Sequence, residues 1–311
     1  MTMAAALLPR GRSLLKLSCE SLFIPVDSQS LVRADAHFNP GNKDCLIIVH
    51  GLEGSSTSPY VLGLTEAAVA QGFNVVRLNL RNCGDTLHLT PTLYNAGQSG
   101  DLLQVINWLT EQRGQQNQYL IGYSLGGNLV LKALAEMGSN YSAVKAACVI
   151  SPSIDLAASV KCIGHGMNRI YEHFLLHSLR KKIKQKAKLF PQHYDAGRLS
   201  EISSLFSFDD VFTGPDAGYK NAADYYQAAS SGGRLNKIKT PALIITAQDD
   251  PLVPFNSFAQ INNSCLRLLA PQHGGHVAFL ADKSGERFWA DNQILSFIAL
   301  FSQVPSFAAS R

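Results

Sequence analysis

The sequence predicts an α/β protein in which helices cover both faces of a mostly parallel sheet. A helical cap is inserted between two of the strands. Three observations carry this prediction. Short β-branched apolar runs alternate with helical patterns along most of the chain, the order that builds a parallel sheet. The alternation breaks between Ser151 and Thr240, a span with several helical patterns and no clear strand. The stretch Gly122-Tyr123-Ser124-Leu125-Gly126 lies where a strand gives way at once to a helix. With 311 residues the chain is within reach of one domain, 1–311, with the cap at about 153–238.

The elements follow from pattern. Ser21 to Phe38 reads as two short strands with a turn at Asp27-Ser28. Cys45–His50 (CLIIVH) is a buried strand by its β-branched run, and Phe73–Leu80 (FNVVRLNL) is a second. Pro59–Ala70 and Gly97–Gln112 are helical, the latter with apolar residues at 102, 103, 105, 106 and 109. Gln118–Tyr123 is a strand, Leu125–Met137 a helix and Val144–Ile150 a strand. Beyond the cap, Ala242–Ala247 and Cys265–Ala270 are strands and Glu286–Phe301 closes the chain as a helix. The tail Ser306–Arg311 is expected to fray.

Composition narrows the class. The hydrophobic fraction of 46% allows a sizeable core, and the net charge of +4 is too mild to argue for nucleic acid. The cysteines at 19, 45, 83, 148, 162 and 265 form no CxxC pair, so zinc and thioredoxin-like chemistry have no support. Cys45 and Cys148 lie in apolar runs and read as buried small hydrophobes. A reducing, cytoplasmic compartment fits. The apolar run Met3–Leu8 precedes the basic residues, the reverse of an export signal. No stretch reaches the ~18 apolar residues of a membrane span.

Ser124 is the candidate nucleophile. A serine at the tip of a tight strand-to-helix turn takes unfavourable φ/ψ, and only small neighbours let the chain cross there. Its Oγ then stands clear of the sheet. The loop His50-Gly51-Leu52-Glu53-Gly54 follows the CLIIV strand, where this architecture supplies an oxyanion donor. The backbone N–H groups of Leu52 and Leu125 are assigned that role. His50 comes too early in the chain for a general base in the order Ser, Asp, His, and reads as structural. The acid is sought after the strand that follows the cap. There Asp249 and Asp250 are both candidates, with a role in orienting the base. The base is sought in His273-Gly274-Gly275-His276, where glycines let a loop carry an imidazole over the serine. His276, beside the run VAFL, is preferred to His273.

These residues and their surroundings resemble the YheT-type subfamily of the α/β-hydrolase superfamily, the alpha/beta hydrolase four family. The matching stretches are HGLEGSSTSPY (50–60), VVRLNLRNCGDT (75–86), LYNAGQSGDL (93–102), GYSLGGN (122–128), FDDVFTGPDAGYKNAADYYQAAS (208–230), AQDDPLVP (247–254) and HGGHVAFL (273–280). They run in register over most of the chain from about His37 to Leu280. The run Asp250-Pro251-Leu252-Val253-Pro254 fits the Asp-x-x-Val-Pro pattern of hydrolases of this fold and favours Asp250. The resemblance implies the α/β-hydrolase fold and a serine carboxylesterase or acyl hydrolase using Ser124, Asp250 and His276. The substrate it implies is a small-molecule ester or lipid, with no cofactor and no metal. Some relatives pass the acyl group to an alcohol, which makes acyl transfer the alternative reaction. Where the family commonly has a histidine, this chain has Asn95. The His-x-x-x-x-Asp pattern of some acyltransferases is absent from the sequence.

Two further features carry weaker signals. Leu179–Phe190 (LRKKIKQKAKLF) carries six basic residues, with Ile170, Phe174, Leu179 and Ile183 at near-helical spacing. It reads first as a solvated cap helix. Its other reading is an amphipathic lid that makes peripheral contact with anionic lipid or meets an acidic substrate. His173 and His177 are spaced i, i+4, but a metal needs further ligands and none is expected. A catalytically inert binding module is the remaining alternative, set against the presence of all three candidate catalytic residues.

Overall fold

The computed structural model describes Leu14 and residues 17–138, 141–259, 261–277, 279–281 and 288–303. The run Met3–Leu8, the start of the closing helix at Glu286 and the tail Ser306–Arg311 lie outside the described residues. Among the described residues eight strands form one sheet: β1 (Glu20–Pro25), β2 (Leu31–His37), β3 (Asp44–Val49), β4 (Asn74–Leu78), β5 (Asn117–Tyr123), β6 (Val144–Ile150), β7 (Ala242–Ile245) and β8 (Leu266–Leu269). Their order is β1-β2-β4-β3-β5-β6-β7-β8. The pairs β1–β2 and β2–β4 are antiparallel, and every other pair is parallel.

The sequence of β3 (DCLIIV) shows why the sheet is buried on both sides. Successive side chains point to opposite faces. Cys45, Ile47 and Val49 enter one core, and Leu46 and Ile48 enter the other. The first core packs under α2 (Ser99–Arg113) and α3 (Leu125–Glu136), through Leu102, Val105, Ile106, Leu129 and Val130. The second lies under α1 (Pro59–Ala70) and α7 (Trp289–Ala299), through Val61, Leu64, Ile294 and Ile298. Proline opens α1, where a missing N–H costs nothing. Gly114 closes α2 in the left-handed conformation, with its N–H on the Leu109 carbonyl.

Strand β4 stops at Leu78, short of the expected Leu80. The reason is local: the Leu80 N–H is taken by the His50 side chain rather than by a neighbouring strand. Strand β7 likewise ends at Ile245, where the chain leaves the sheet toward Asp250.

Between β6 and β7 the structure is helical. It comprises α4 (Leu156–Ile163), α5 (Arg169–Leu189), a run of short helical turns over 196–216, and α6 (Ala222–Ala229). Asp155 caps α4 by accepting from the Ala158 N–H, and Asn221 caps α6 by accepting from Asp224. This segment has its own core of Leu176, Leu179, Ile183, Leu199, Phe208 and Phe212, closed by Leu93 from the main body. Its two stems meet: the Gly232 N–H donates to the Ile154 carbonyl at 2.9 Å. Asn128 on α3 clamps the returning stem, donating to the Ala229 carbonyl and accepting from the Ser231 N–H.

The basic segment 179–190 is solvated only in part. Lys182 and Lys186 are buried. Lys182 pairs with Glu53, and Lys186 donates to the Thr90 carbonyl. Lys181, Lys184 and Lys188 do face solvent. Among the described residues no helix is long and apolar enough to cross a membrane.

Candidate active site

Strands β3, β5, β7 and β8 are parallel, so the loops leaving their carboxyl ends meet at one edge of the sheet. That edge, where the connection from β3 turns to β4 on one side and that from β5 to β6 on the other, is where open α/β sheets bind ligands. Ser124 follows β5 directly. Its φ of 53° and ψ of −117° place a non-glycine residue in the left-handed half of backbone space. The fold holds it there. The Ser124 N–H donates to the Ile150 carbonyl at 2.8 Å, and its carbonyl accepts from Asn128 as α3 begins. Gly122 and Gly126 permit the turn. A Cβ on Gly122 would meet the Gly126 carbonyl oxygen, and one on Gly126 would run into the Val49 and His50 carbonyls.

Leu125 is the first residue of α3. The opening N–H groups of a helix lack intrahelical acceptors and sit at the positive end of its dipole. Leu52 lies on the loop after β3. The amides on either side of it are engaged: Gly51 N–H by the Tyr60 hydroxyl at 3.1 Å, and Glu53 N–H by the Tyr94 hydroxyl at 3.0 Å. These bonds fix the peptide planes between which the Leu52 N–H projects. Leu52, Leu125, Ser124 and His276 line one cavity of about 450 Å³.

The two aspartates and two histidines sort into separate pairs. Asp250 and His276 are buried, and the His276 Nδ1–H donates to Asp250 Oδ2 at 2.8 Å. A carboxylate cannot donate, so this contact leaves Nε2 as the free acceptor on the ring. Asp250 is itself fixed by the N–H groups of Leu252 at 2.9 Å and Val253 at 3.1 Å. Asp249 and His273 pair outside the cavity at 3.2 Å, with the His273 side chain 86% exposed. Asp249 accepts from the Gly274 and Gly275 amides. Slight burial works to raise its carboxyl, but these amides and His273 outweigh it and hold the carboxyl below its ordinary range.

His50 is buried, with both ring nitrogens occupied. Its Nε2 accepts from the Leu80 N–H at 3.1 Å, so Nδ1 carries the proton and donates to the Gly51 carbonyl at 2.8 Å. Burial, with Lys182 adding to it, pushes the imidazole down to about 4. The ring is a neutral strut between β4 and the loop of Leu52. Asn95 lies in the cavity wall and accepts from the Gly97 N–H at 2.9 Å, closing its own turn. His173 and His177 are exposed on α5. Among the described residues no group of three or more His, Cys, Asp or Glu could hold a metal ion.

Two polar pairs in the cavity wall escape sequence reasoning. Glu53, at a φ of 55°, accepts from Tyr94 Oη at 2.8 Å, from Ser178 Oγ and from Lys182 Nζ. Burial works to raise the Glu53 carboxyl, but Lys182 and the two hydroxyls hold it below its usual range. Asp209 accepts from Tyr226 Oη at 2.7 Å, and burial pushes its carboxyl up to about 6. The only signal for either was position inside the HGLEG and FDD stretches.

This geometry has known counterparts. A family model described as the alpha/beta hydrolase fold matches residues 44–283. The chain belongs to the α/β-hydrolase fold family, in its YheT-type branch. It is 31% identical over 275 residues to the putative esterase YheT of Escherichia coli (strain K12), covering 85% of this chain and 79% of that one. It is 30% identical to a monoacylglycerol lipase of Saccharomyces cerevisiae, covering 94% of this chain and 69% of that one. The solved structure of the Pyrococcus furiosus esterase Pf2001 superposes with a TM-score of 0.61 at 16% identity. That match spans 92% of this chain and 94% of the other, and it speaks for the fold alone. Family and relatives together make the chain an enzyme of the carboxylic-ester-hydrolysing class.

Proposed function

We propose that this chain is a serine carboxylesterase for lipid-like or medium-chain esters, working through an acyl-enzyme on Ser124. The observation that carries the reading is the cavity of about 450 Å³. Ser124 and His276 line it beside an apolar wall of Leu93, Leu156, Leu175, Leu179, Leu205 and Phe208. An acyl chain laid along that wall leaves water, and its carbonyl is brought to the serine. The relative called a monoacylglycerol lipase supports the same substrate class.

His276 Nε2 takes the proton as Ser124 Oγ attacks the ester carbonyl. Asp250 holds the Nδ1–H side of the ring and stabilises the imidazolium that forms. The N–H groups of Leu52 and Leu125 receive the developing oxyanion, an interaction worth several kcal/mol because its donors are fixed in advance. His276 returns the proton to the leaving alcohol. It then activates the water that frees the acid.

The test is fluorophosphonate labelling with peptide mapping, beside a p-nitrophenyl ester series from acetate to palmitate. Label on Ser124, with turnover peaking at an intermediate chain length, is the expected result. Ser124→Ala should lose about 10⁶ in kcat. Well-folded protein that takes no label would overturn the reading. Added alcohol in the same assay reports, from the ester product, whether water or alcohol accepts the acyl group.

A further inference from the structure

The exposed face of α5 is divided along its length. Residues 170, 174, 177, 181, 184 and 188 fall on one stripe at helical spacing, extended by Met167 just before the helix. The stripe begins apolar. Met167 is 80% exposed, Ile170 53% and Phe174 59%, a cluster of large apolar side chains rather than scattered single ones. It ends cationic, in the solvent-facing Lys181, Lys184 and Lys188.

The charge is one-sided. The only acid in α5 is Glu172, which is buried and accepts from the Leu205 N–H at 2.9 Å. The inward lysines are already engaged: Lys182 with Glu53 and Lys186 with the Thr90 carbonyl. The outward ones stand on the stripe with no acid of their own helix to neutralise them.

The apolar end of the stripe is also the rim of the cavity. Phe174 and its neighbour Tyr171 line the space above Ser124, and Phe174 is at the same time largely in solvent. Apolar side chains beside a cationic run on one helix face match a surface that is apolar beneath and negatively charged above. A protein groove would satisfy the apolar part but would need acids placed one turn apart. A phospholipid interface supplies both at any register.

We propose that α5 docks the cap on an anionic phospholipid surface. Met167, Ile170 and Phe174 enter the acyl region there, and Lys181, Lys184 and Lys188 meet the phosphates. Docking in this orientation turns the cavity rim toward the membrane, so a lipid ester enters along Phe174 without crossing water. The meaning of the rim rests on the proposed esterase reading. The docking itself does not, and it is measured without turnover.

The experiment is co-sedimentation of the Ser124→Ala protein with phosphatidylcholine vesicles and with phosphatidylcholine–phosphatidylglycerol vesicles. Binding to the mixed vesicles alone, weakening as salt rises, is expected. The triple variant Lys181→Gln, Lys184→Gln, Lys188→Gln should lower partitioning on the order of a hundredfold. Met167→Ser and Ile170→Ser should each lower it on the order of tenfold. In an otherwise wild-type enzyme none of these changes should alter hydrolysis of a soluble short-chain ester, which also shows that the variants fold. Equal uptake by both vesicle types overturns the proposal. So does absence of uptake, or a dimer in solution that Ile170→Ser dissolves.

Discussion

The Lys182 ammonium of the cap stands 2.5 Å from the Glu53 carboxylate on the loop after β3, and little of either side chain reaches solvent. One is carried by α5 and the other by the loop that presents the Leu52 N–H. The pair therefore ties the cap to the candidate oxyanion site. Ser178, one turn before Lys182, adds a second bond to the same carboxylate.

Removing one partner of a buried pair leaves the other charge uncompensated, which costs about 3–5 kcal/mol. Lys182→Met should lower stability by that order, read from denaturant unfolding. The double variant Glu53→Gln, Lys182→Met should recover much of the loss, since no charge is left buried. A double variant less stable than Lys182→Met would mean the pair acts through packing rather than charge.

The two Asp–His pairs predict opposite outcomes for adjacent residues. Asp250→Asn should lower kcat by roughly 10⁴, because the amide favours the wrong tautomer of His276. Asp249→Asn and His273→Ala, on the exposed pair, should leave kcat near wild type. Steady-state kinetics on one soluble ester checks all three. Equal losses at Asp249 and Asp250 would undo the assignment.

Glycine positions separate in the same way. Gly126→Ala drives a methyl group into the Val49 and His50 carbonyls and should destabilise the fold by about 1–3 kcal/mol or more. Gly100, in the first turn of α2, has open space where its Cβ would be. Gly100→Ala should instead stabilise by about 0.5–1 kcal/mol. Paired thermal melts distinguish the two.

His50 makes stability depend on pH. Its imidazole is held down to about 4 in the fold, against an ordinary 6.5. Between those values the unfolded chain binds a proton that the native ring refuses, so stability falls as pH falls through this window. The full contribution is about 3 kcal/mol, present above 6.5 and lost by about 4. The Glu53 carboxyl, held low by Lys182, adds a loss of the same sign further into acid. Asp209, held up to about 6, contributes with the opposite sign over much of the same window, so the His50 share is read by difference. Between pH 6.5 and 4 wild type should lose more melting temperature than a His50→Gln variant. Imidazole ¹⁵N shifts should show His50 still neutral at pH 5, and a protonated ring at that pH would contradict the strut.

The strands were legible because burial on both faces writes itself as continuous β-branched runs, as in CLIIV and ALII. The turn at Ser124 was legible because sterics dictate its glycines. The inward aim of Lys182 and Lys186 was not. In LRKKIKQKAKLF they look the same as the outward lysines, and only tertiary packing decides which of a run of cations is buried. Asp249 and Asp250 are separated in sequence only by the fit of Asp250 to the Asp-x-x-Val-Pro pattern. One residue of offset after β7 sends one side chain to Gly274 and Gly275 and the other under His276. Strand ends were overestimated where a side chain, as His50 does for Leu80, takes over a ladder hydrogen bond.

The meeting of the cap's stems at Ile154 and Gly232 has a consequence for how such a chain can be altered. Joining points already in contact can bridge loops of very different length, because loop-closure entropy grows only slowly with length. The stretch between them is therefore a cassette, held at its base by Asn128. A graft could resize the pocket while leaving the sheet untouched. Such a graft must still supply a cation where Lys182 now stands, without which Glu53 would be stranded in the join, and acceptors for the Leu93 and Ala96 N–H groups that Asp216 and Tyr225 now provide.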